Sequence, residues 1–159
     1  MQLPLPSLLA TATGITGSAW ASGAIAALSL VGIPAALSAP STSATVWASI
    51  FNHGVAIVPK FAGTAAIAYL FAAYDAHQNG RSWKGLVAGA VLTVAIVPYT
   101  MVFMTPTNNL LLGAAQETLA ASKEEVARLI GKWSTLNLIR SLFPLAGTVA
   151  GFRALSQNL

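Results

Sequence analysis

The chain has 159 residues, of which 55% are hydrophobic and only 8% charged, and its mean hydropathy is +0.70. Soluble domains carry about 25% charged residues, so a surface this poor in charge calls for lipid as its solvent, in one membrane domain over residues 1–159. The lack of cysteine excludes disulfides, thiolate metal sites and cysteine nucleophiles, and the scattered basic residues behind the net charge of +4 form no nucleic-acid-binding stripe.

The first apolar run predicts a helix over residues 8–33 that stops at Pro34. Ala19-Trp20-Ala21 mimics a leader cleavage site, but no Lys or Arg precedes it, and Thr11, Thr13, Gly14 and Thr16 dilute the apolar stretch. A cleaved signal has a basic leading region and a cleaner core, so the run reads as a retained membrane helix. Gly14, Ser18 and Ser22 recur every four residues, as do Ala19 and Gly23; such spacing lets a neighbouring backbone come close. Residues 38–45, with Pro40 and five Ser or Thr, predict a loop. A helix then begins near Ser43 and carries Trp47, Phe51, Asn52, His53 and Gly54. It bends at Pro59 and continues as a second span over 61–76, leaving through a polar turn marked by Asp75, His77 and Arg81.

The third span covers 84–104, with a GxxxG pair at Gly85 and Gly89. Pro98 removes the usual partner of the Val94 carbonyl and predicts a kink, beside which Tyr99 and Thr100 place hydroxyls. Pro106 is expected to end the span, and Asn108 and Asn109 to begin an irregular connection. Ser122, followed by Glu125, reads as a capping box. Val126, Leu129, Ile130 and Trp133 then give the i, i+3, i+4, i+7 pattern of an amphipathic helix along the membrane surface. The fourth span takes 136–155, with Pro144 and a second GxxxG at Gly147 and Gly151. The expected fold is all-α, a four-helix transmembrane bundle with an additional amphipathic interfacial helix and both termini on one side. Charges are too evenly distributed to fix its orientation.

Arg140 is the most informative residue. It follows Trp133 and Asn137 at helical spacing, within about 60° of one face. A guanidinium in the centre of a span costs about 3 kcal/mol against lipid. Arg140 therefore either faces a polar interior or ligand pocket, or snorkels from the helix end to the headgroups. Tyr99, Thr100, Asn108, Asn109 and Asn137 are open to two readings as well: hydrogen-bond glue between helices, or groups that bind a phenol or quinone oxygen. Trp47, Trp83 and Trp133 are either interfacial anchors or flat walls for an aromatic ligand. His53 is either a boundary histidine without chemistry or a general base, the side chain suited to taking a proton near neutral pH. Three of the four carboxylates, Glu117, Glu124 and Glu125, fall on the polar connection, which argues against a carboxylate-bridged metal site. No nucleotide, zinc-protease or serine-hydrolase motif is present.

Pro98-Tyr99-Thr100, then Thr105-Pro106-Thr107-Asn108-Asn109-Leu110, then Trp133, Asn137 and Arg140 resemble the hallmark of the anthrone oxygenase family. Arg81, the small-residue pattern from Gly17 to Gly23, and Trp47 ahead of Gly54 and Pro59 fit in the same order. The resemblance implies a small multi-pass membrane protein of the kind common in fungal aromatic polyketide pathways. Such proteins oxidise an anthrone to an anthraquinone with molecular oxygen, and no organic cofactor or metal is established as necessary, haem or metal remaining open. The implied partners are a hydrophobic aromatic polyketide, oxygen and the lipid bilayer, and the GxxxG pairs allow homo-oligomers. In this reading His53 is the base and Arg140 the cation for the substrate anion. Trp47, Tyr99, Thr100, Asn109, Trp133 and Asn137 line the substrate site. The alternatives are a non-catalytic membrane scaffold or accessory protein, or a small-molecule carrier.

Overall fold

A computed structural model describes residues 4–158, and among them there is no β-strand. Four long helices hold most of the chain: α1 (Leu5–Leu37), α2 (Ser43–Gln78), α3 (Lys84–Ala115) and α4 (Lys123–Asn158). Each is long and apolar enough to cross a membrane, since about 20 residues at 1.5 Å each cover a hydrocarbon core of about 30 Å. α4 opens on the expected cap, in which Ser122 Oγ accepts the Glu125 N–H at 3.2 Å. The Glu125 carboxylate turns instead to Arg128, whose Nε and Nη2 donate to it at 2.9 and 2.6 Å. The amphipathic stretch begun here forms the first turns of α4 and runs unbroken into the fourth span.

Two expected stops are corrected. Pro34 does not end α1 and Pro106 does not end α3; the helices continue to Leu37 and Ala115. In both places a single π turn, Leu28–Gly32 or Thr100–Met104, ends two residues before the proline. The Ile33 N–H bonds the Leu28 carbonyl and the Thr105 N–H the Thr100 carbonyl, five residues back. Pro34 and Pro106 then fall in the first turn of a restarted helix, where a missing N–H costs nothing. Asn108 and Asn109 consequently lie on a helix and not in an irregular connection. Pro59 and Pro144 pass within α2 and α4 without ending them.

Contacts divide the chain into two compact units, each drawing on all four helices. The first takes residues up to Gly23, Pro59–Ile96 and the segment from Ser141. Its centre is Tyr69, fully buried among Ile15, Ala66, Leu86, Ala90 and Ala154. The small residues of three helices make room for this ring. A Cβ on Gly14 of α1 would lie 2.6 Å from it, one on Gly89 of α3 3.2 Å, and one on Gly151 of α4 would overlap the phenol oxygen. The Tyr69 hydroxyl donates to the Gly147 carbonyl at 3.2 Å and pairs with Ser18 Oγ at 3.2 Å. At one end of this unit Ser7 donates to Asp75 at 2.6 Å, Arg81 lies 3.8 Å from the same carboxylate, and Asn158 donates to the Ser82 carbonyl at 2.8 Å. The start of α1 and the end of α4 thus both meet the α2–α3 turn, where Gly80 takes the positive φ of +66°.

The second unit takes Ala24–Val58 and Val97–Arg140. Its core is Ile33, Trp47, Met104, Leu111, Val126, Leu129, Ile130 and Trp133. α1 runs antiparallel to α2 here, Gly32 against Ile50 and Gly54 against Leu28. It runs antiparallel to α4 as well, with Ser29 donating to the Ser134 carbonyl at 3.0 Å and Asn137 to the Ile25 carbonyl at 2.8 Å.

Candidate active site around Arg140

Arg140 ends the α4 part of the second unit, three residues after Asn137 and so on the same helix face. Its Nη2 donates to Asn137 Oδ1 at 2.6 Å and its Nη1 to Thr100 Oγ1 of α3 at 2.9 Å. Asn137 is fully buried, and its Nδ2 in turn donates to the Ile25 carbonyl and to Ser29 Oγ, both at 2.8 Å. The guanidinium is therefore held by a chain of neutral groups from α1, α3 and α4. Its Nε is buried and lacks a hydrogen-bond partner. Among the described residues it forms no ion pair: Asp75 is taken up by Ser7 and Arg81, and Glu125 by Arg128. A desolvated cation without a counter-ion is costly and favours an anion beside it. Thr100 opens the π turn that absorbs Pro106, and such turns occur often at functional sites. Tyr99, next to Thr100, has its ring 5.0 Å from that of Phe103.

Trp133 lies two turns before Arg140 on the same face, and Trp47 of α2 meets it edge-on with ring centroids 5.7 Å apart. Both indoles are buried inside the protein, 0% and 1% exposed, so neither reaches its surface as an anchor. Their Nε1 atoms have no hydrogen-bond partner. Trp83, by contrast, is half-buried in the first unit, edge-on to His77.

Two expected site residues fall elsewhere. Asn109 is exposed, whereas its neighbour Asn108 is buried with an unpartnered Oδ1. Once the segment is helical, one residue turns the face by about 100°, and the inward position is Asn108. His53 is exposed, and its Nδ1 takes the Ser49 carbonyl of its own helix at 2.7 Å, leaving Nε2 free. It stands about 120° around α2 from Trp47. Gly54 lies against Leu28 and Ser29 bonds Ser134, so His53 is level with Ser134, six residues or about 9 Å of rise from Arg140. The structure does not bring His53 into the Arg140 group. Ser29 joins the Arg140 group through Asn137 without having been expected there. Asn108 and Asn109 were expected together, and the helical register decides that Asn108 is the buried one, while nothing local marks Ser29.

The family model described as anthrone oxygenase matches residues 47–150, a stretch that begins on Trp47 and contains Tyr99, Thr100, Asn108, Trp133, Asn137 and Arg140. An anthrone oxygenase of Claviceps purpurea is 34% identical over 95% of this chain and 88% of its own length. The chain belongs to the anthrone oxygenase family. Family members similar to it include the anthrone oxygenase tpcL of Aspergillus fumigatus, 32% identical over 95% of this chain and 96% of its own. The noranthrone monooxygenase of Aspergillus flavus is 36% identical over 86% of this chain and 68% of its own. No solved structure matches this anthrone oxygenase family member. Among its described residues, no three His, Asp or Glu side chains come together in a metal-binding group.

Proposed function

We propose that this protein is a multi-pass membrane enzyme that converts an anthrone-type phenolic polyketide to its quinone with molecular oxygen and without a cofactor. The observation that carries this reading is the part-buried Arg140 guanidinium, held by Asn137 and Thr100 and, among the described residues, in no ion pair. The names of the similar proteins, anthrone oxygenase and noranthrone monooxygenase, supply the substrate class. Lipid embedding rests on the outward side chains of the long helices, among them Val31, Ile67 and Met101, which are 69%, 71% and 68% exposed.

The chemistry follows from the substrate. An anthrone CH2 is flanked by two aromatic rings and lies para to a carbonyl, so loss of one proton spreads the charge onto the carbonyl oxygen. Arg140 offers that oxygen a fixed cation and the free Nε–H, stabilisation that grows as the charge develops. The bound substrate thereby becomes acidic enough to lose its proton to water or hydroxide, and His53 is not required for the step. The electron-rich carbon passes an electron to oxygen, and the new C–O bond gives a hydroperoxide. Loss of the second C–H proton with cleavage of the O–O bond leaves the quinone carbonyl and releases water. One oxygen atom enters the product, the other leaves as water, and all the electrons come from the substrate carbon. Trp47, Trp133 and Tyr99 supply the apolar aromatic walls. The test is purified protein in detergent or nanodiscs, given an anthrone and oxygen and followed by quinone absorbance. A rate no higher than spontaneous autoxidation would rule the activity out.

A further inference from the structure

Three buried polar atoms in the second unit are left over once the Arg140 group is accounted for: Trp47 Nε1, Trp133 Nε1 and Asn108 Oδ1. The residues are 0%, 1% and 6% exposed, so water does not satisfy them from outside. Unpaired buried polar groups are rare in folded proteins, and each costs about 1–3 kcal/mol. They belong to one neighbourhood. The two indoles touch at 5.7 Å between centroids. Asn108 follows Met104 by four residues and precedes Leu111 by three, which puts it on the α3 face that packs into the same cluster as both tryptophans.

The set consists of two donors and one acceptor. A hydroxyl oxygen has the complementary needs, accepting two hydrogen bonds and donating one. A carbonyl or carboxylate would leave Asn108 Oδ1 unpaired, and an apolar group would leave all three unpaired. We propose that Trp47, Trp133 and Asn108 form a subsite for a phenolic hydroxyl of the ligand, at the end of the molecule away from Arg140. Trp133 and Arg140 are seven residues apart, roughly 10 Å of helix rise, a separation that the oxygen on the central ring and a hydroxyl on a terminal ring cover together with the hydrogen bond and the side chain at each of them. Phe51, Tyr99 and Leu136 border the cluster and are only partly buried, so the cluster reaches the protein surface on their side. The selectivity rests on the anthrone reading given above: Arg140 receives the charged oxygen, and the indole pair selects substrates bearing a ring hydroxyl.

The experiment compares an anthrone carrying ring hydroxyls with its deoxy counterpart. Wild-type protein is expected to prefer the hydroxylated compound by about ten- to a hundredfold in kcat/KM, because the deoxy compound strands three buried polar atoms. Trp47→Phe and Trp133→Phe keep a ring and lose the N–H, and each should move that ratio at least tenfold towards one. A ratio that stays put in both variants overturns the subsite. A second arm uses wild-type protein with 15N-labelled indoles, assigned through the two variants. The Trp47 and Trp133 Nε1–H resonances should shift with the hydroxylated ligand and not with the deoxy one. Equal shifts with both ligands mean that the indoles bind only trapped water, and overturn the proposal. If neither anthrone is oxidised the activity reading falls by itself, while the resonance arm still decides the subsite.

Discussion

Arg140 and Asn137 form the tightest polar contact of the site, Nη2 donating to Oδ1 at 2.6 Å across one helical turn. Asn137 is itself pinned to α1 through Ile25 and Ser29, so the guanidinium inherits its position from a helix that it does not touch by hydrogen bond. Asn137→Leu should therefore leave Arg140 present but loosely aimed. The expected outcome is a fall of about tenfold or more in quinone formation, with a loss of about 1–3 kcal/mol in stability for the orphaned partners. Rates and unfolding midpoints of the same preparation check both halves.

Arg140→Leu removes the charge. Loss of one preorganised donor to a developing oxyanion costs about 10²–10³ in rate, and the variant should still fold, since the cost of a buried cation disappears with it. A positive charge beside the enolate oxygen lowers the pH at which the bound substrate ionises. Without it, the rise of rate with pH should move upward by about two to three units. Arg140→Lys should recover part of the shift but not the full rate, because one ammonium does not replace two guanidinium nitrogens set on Thr100 and Asn137. If Arg140→Leu keeps the wild-type rate and profile, the guanidinium only ties α3 to α4 through Thr100 and Asn137 and does not act on the substrate.

His53→Ala should change the rate by less than about threefold. The general-base expectation came from residue type, from a place on an apolar helix near Trp47 and Phe51, and from the family resemblance, whereas the imidazole is exposed and bonded to its own helix at Ser49. A drop of about 10²–10⁴, the usual worth of a general base, would return the proton transfer to His53 and require the substrate to lie over the outer face of α2.

Much of this arrangement was legible in the residues. The apolar runs mark four spans because each helix must bury or shield its own backbone, and Trp133, Asn137 and Arg140 share a face by spacing alone. Prolines misled: Pro34 and Pro106 look like stops, yet a π turn before each lets the helix resume. That error carried Asn108 and Asn109 into a supposed loop and hid which of them turns inward. Tyr69 left no mark at all. A lone tyrosine in an apolar run says nothing of the slot that Gly14, Gly89 and Gly151 of three other helices build around it.

Gly14→Ala and Gly151→Ala should destabilise the protein by about 1–3 kcal/mol, since each new methyl meets the buried Tyr69 ring or its hydroxyl with no room to yield. Gly23→Ala is the control. Nothing lies within 4 Å of its added Cβ, and alanine is the better helix former by about 1 kcal/mol. Thermal unfolding in one detergent should order the midpoints Gly23→Ala, wild type, then the two slot variants. Equal midpoints throughout would mean that the Tyr69 slot does not hold the unit together.

The last expectation is that turnover needs no metal, flavin, nicotinamide or haem. The substrate's own CH2 supplies every electron that oxygen takes up, so the protein has only to stabilise the anion and keep it beside oxygen. Protein treated with chelator, stripped of small molecules and checked by elemental analysis and absorbance should then oxidise an anthrone as fast as untreated protein. Under argon the product should vanish, and with labelled oxygen one labelled atom should appear in the quinone. A stripped sample that falls to the autoxidation rate would remove the cofactor-free mechanism, and whichever metal or haem restored turnover would name what takes its place. Stripped Arg140→Leu protein provides the cross-check. If the rate depends on Arg140 with and without stripping to the same degree, the cation acts on the substrate itself and not by holding a lost cofactor.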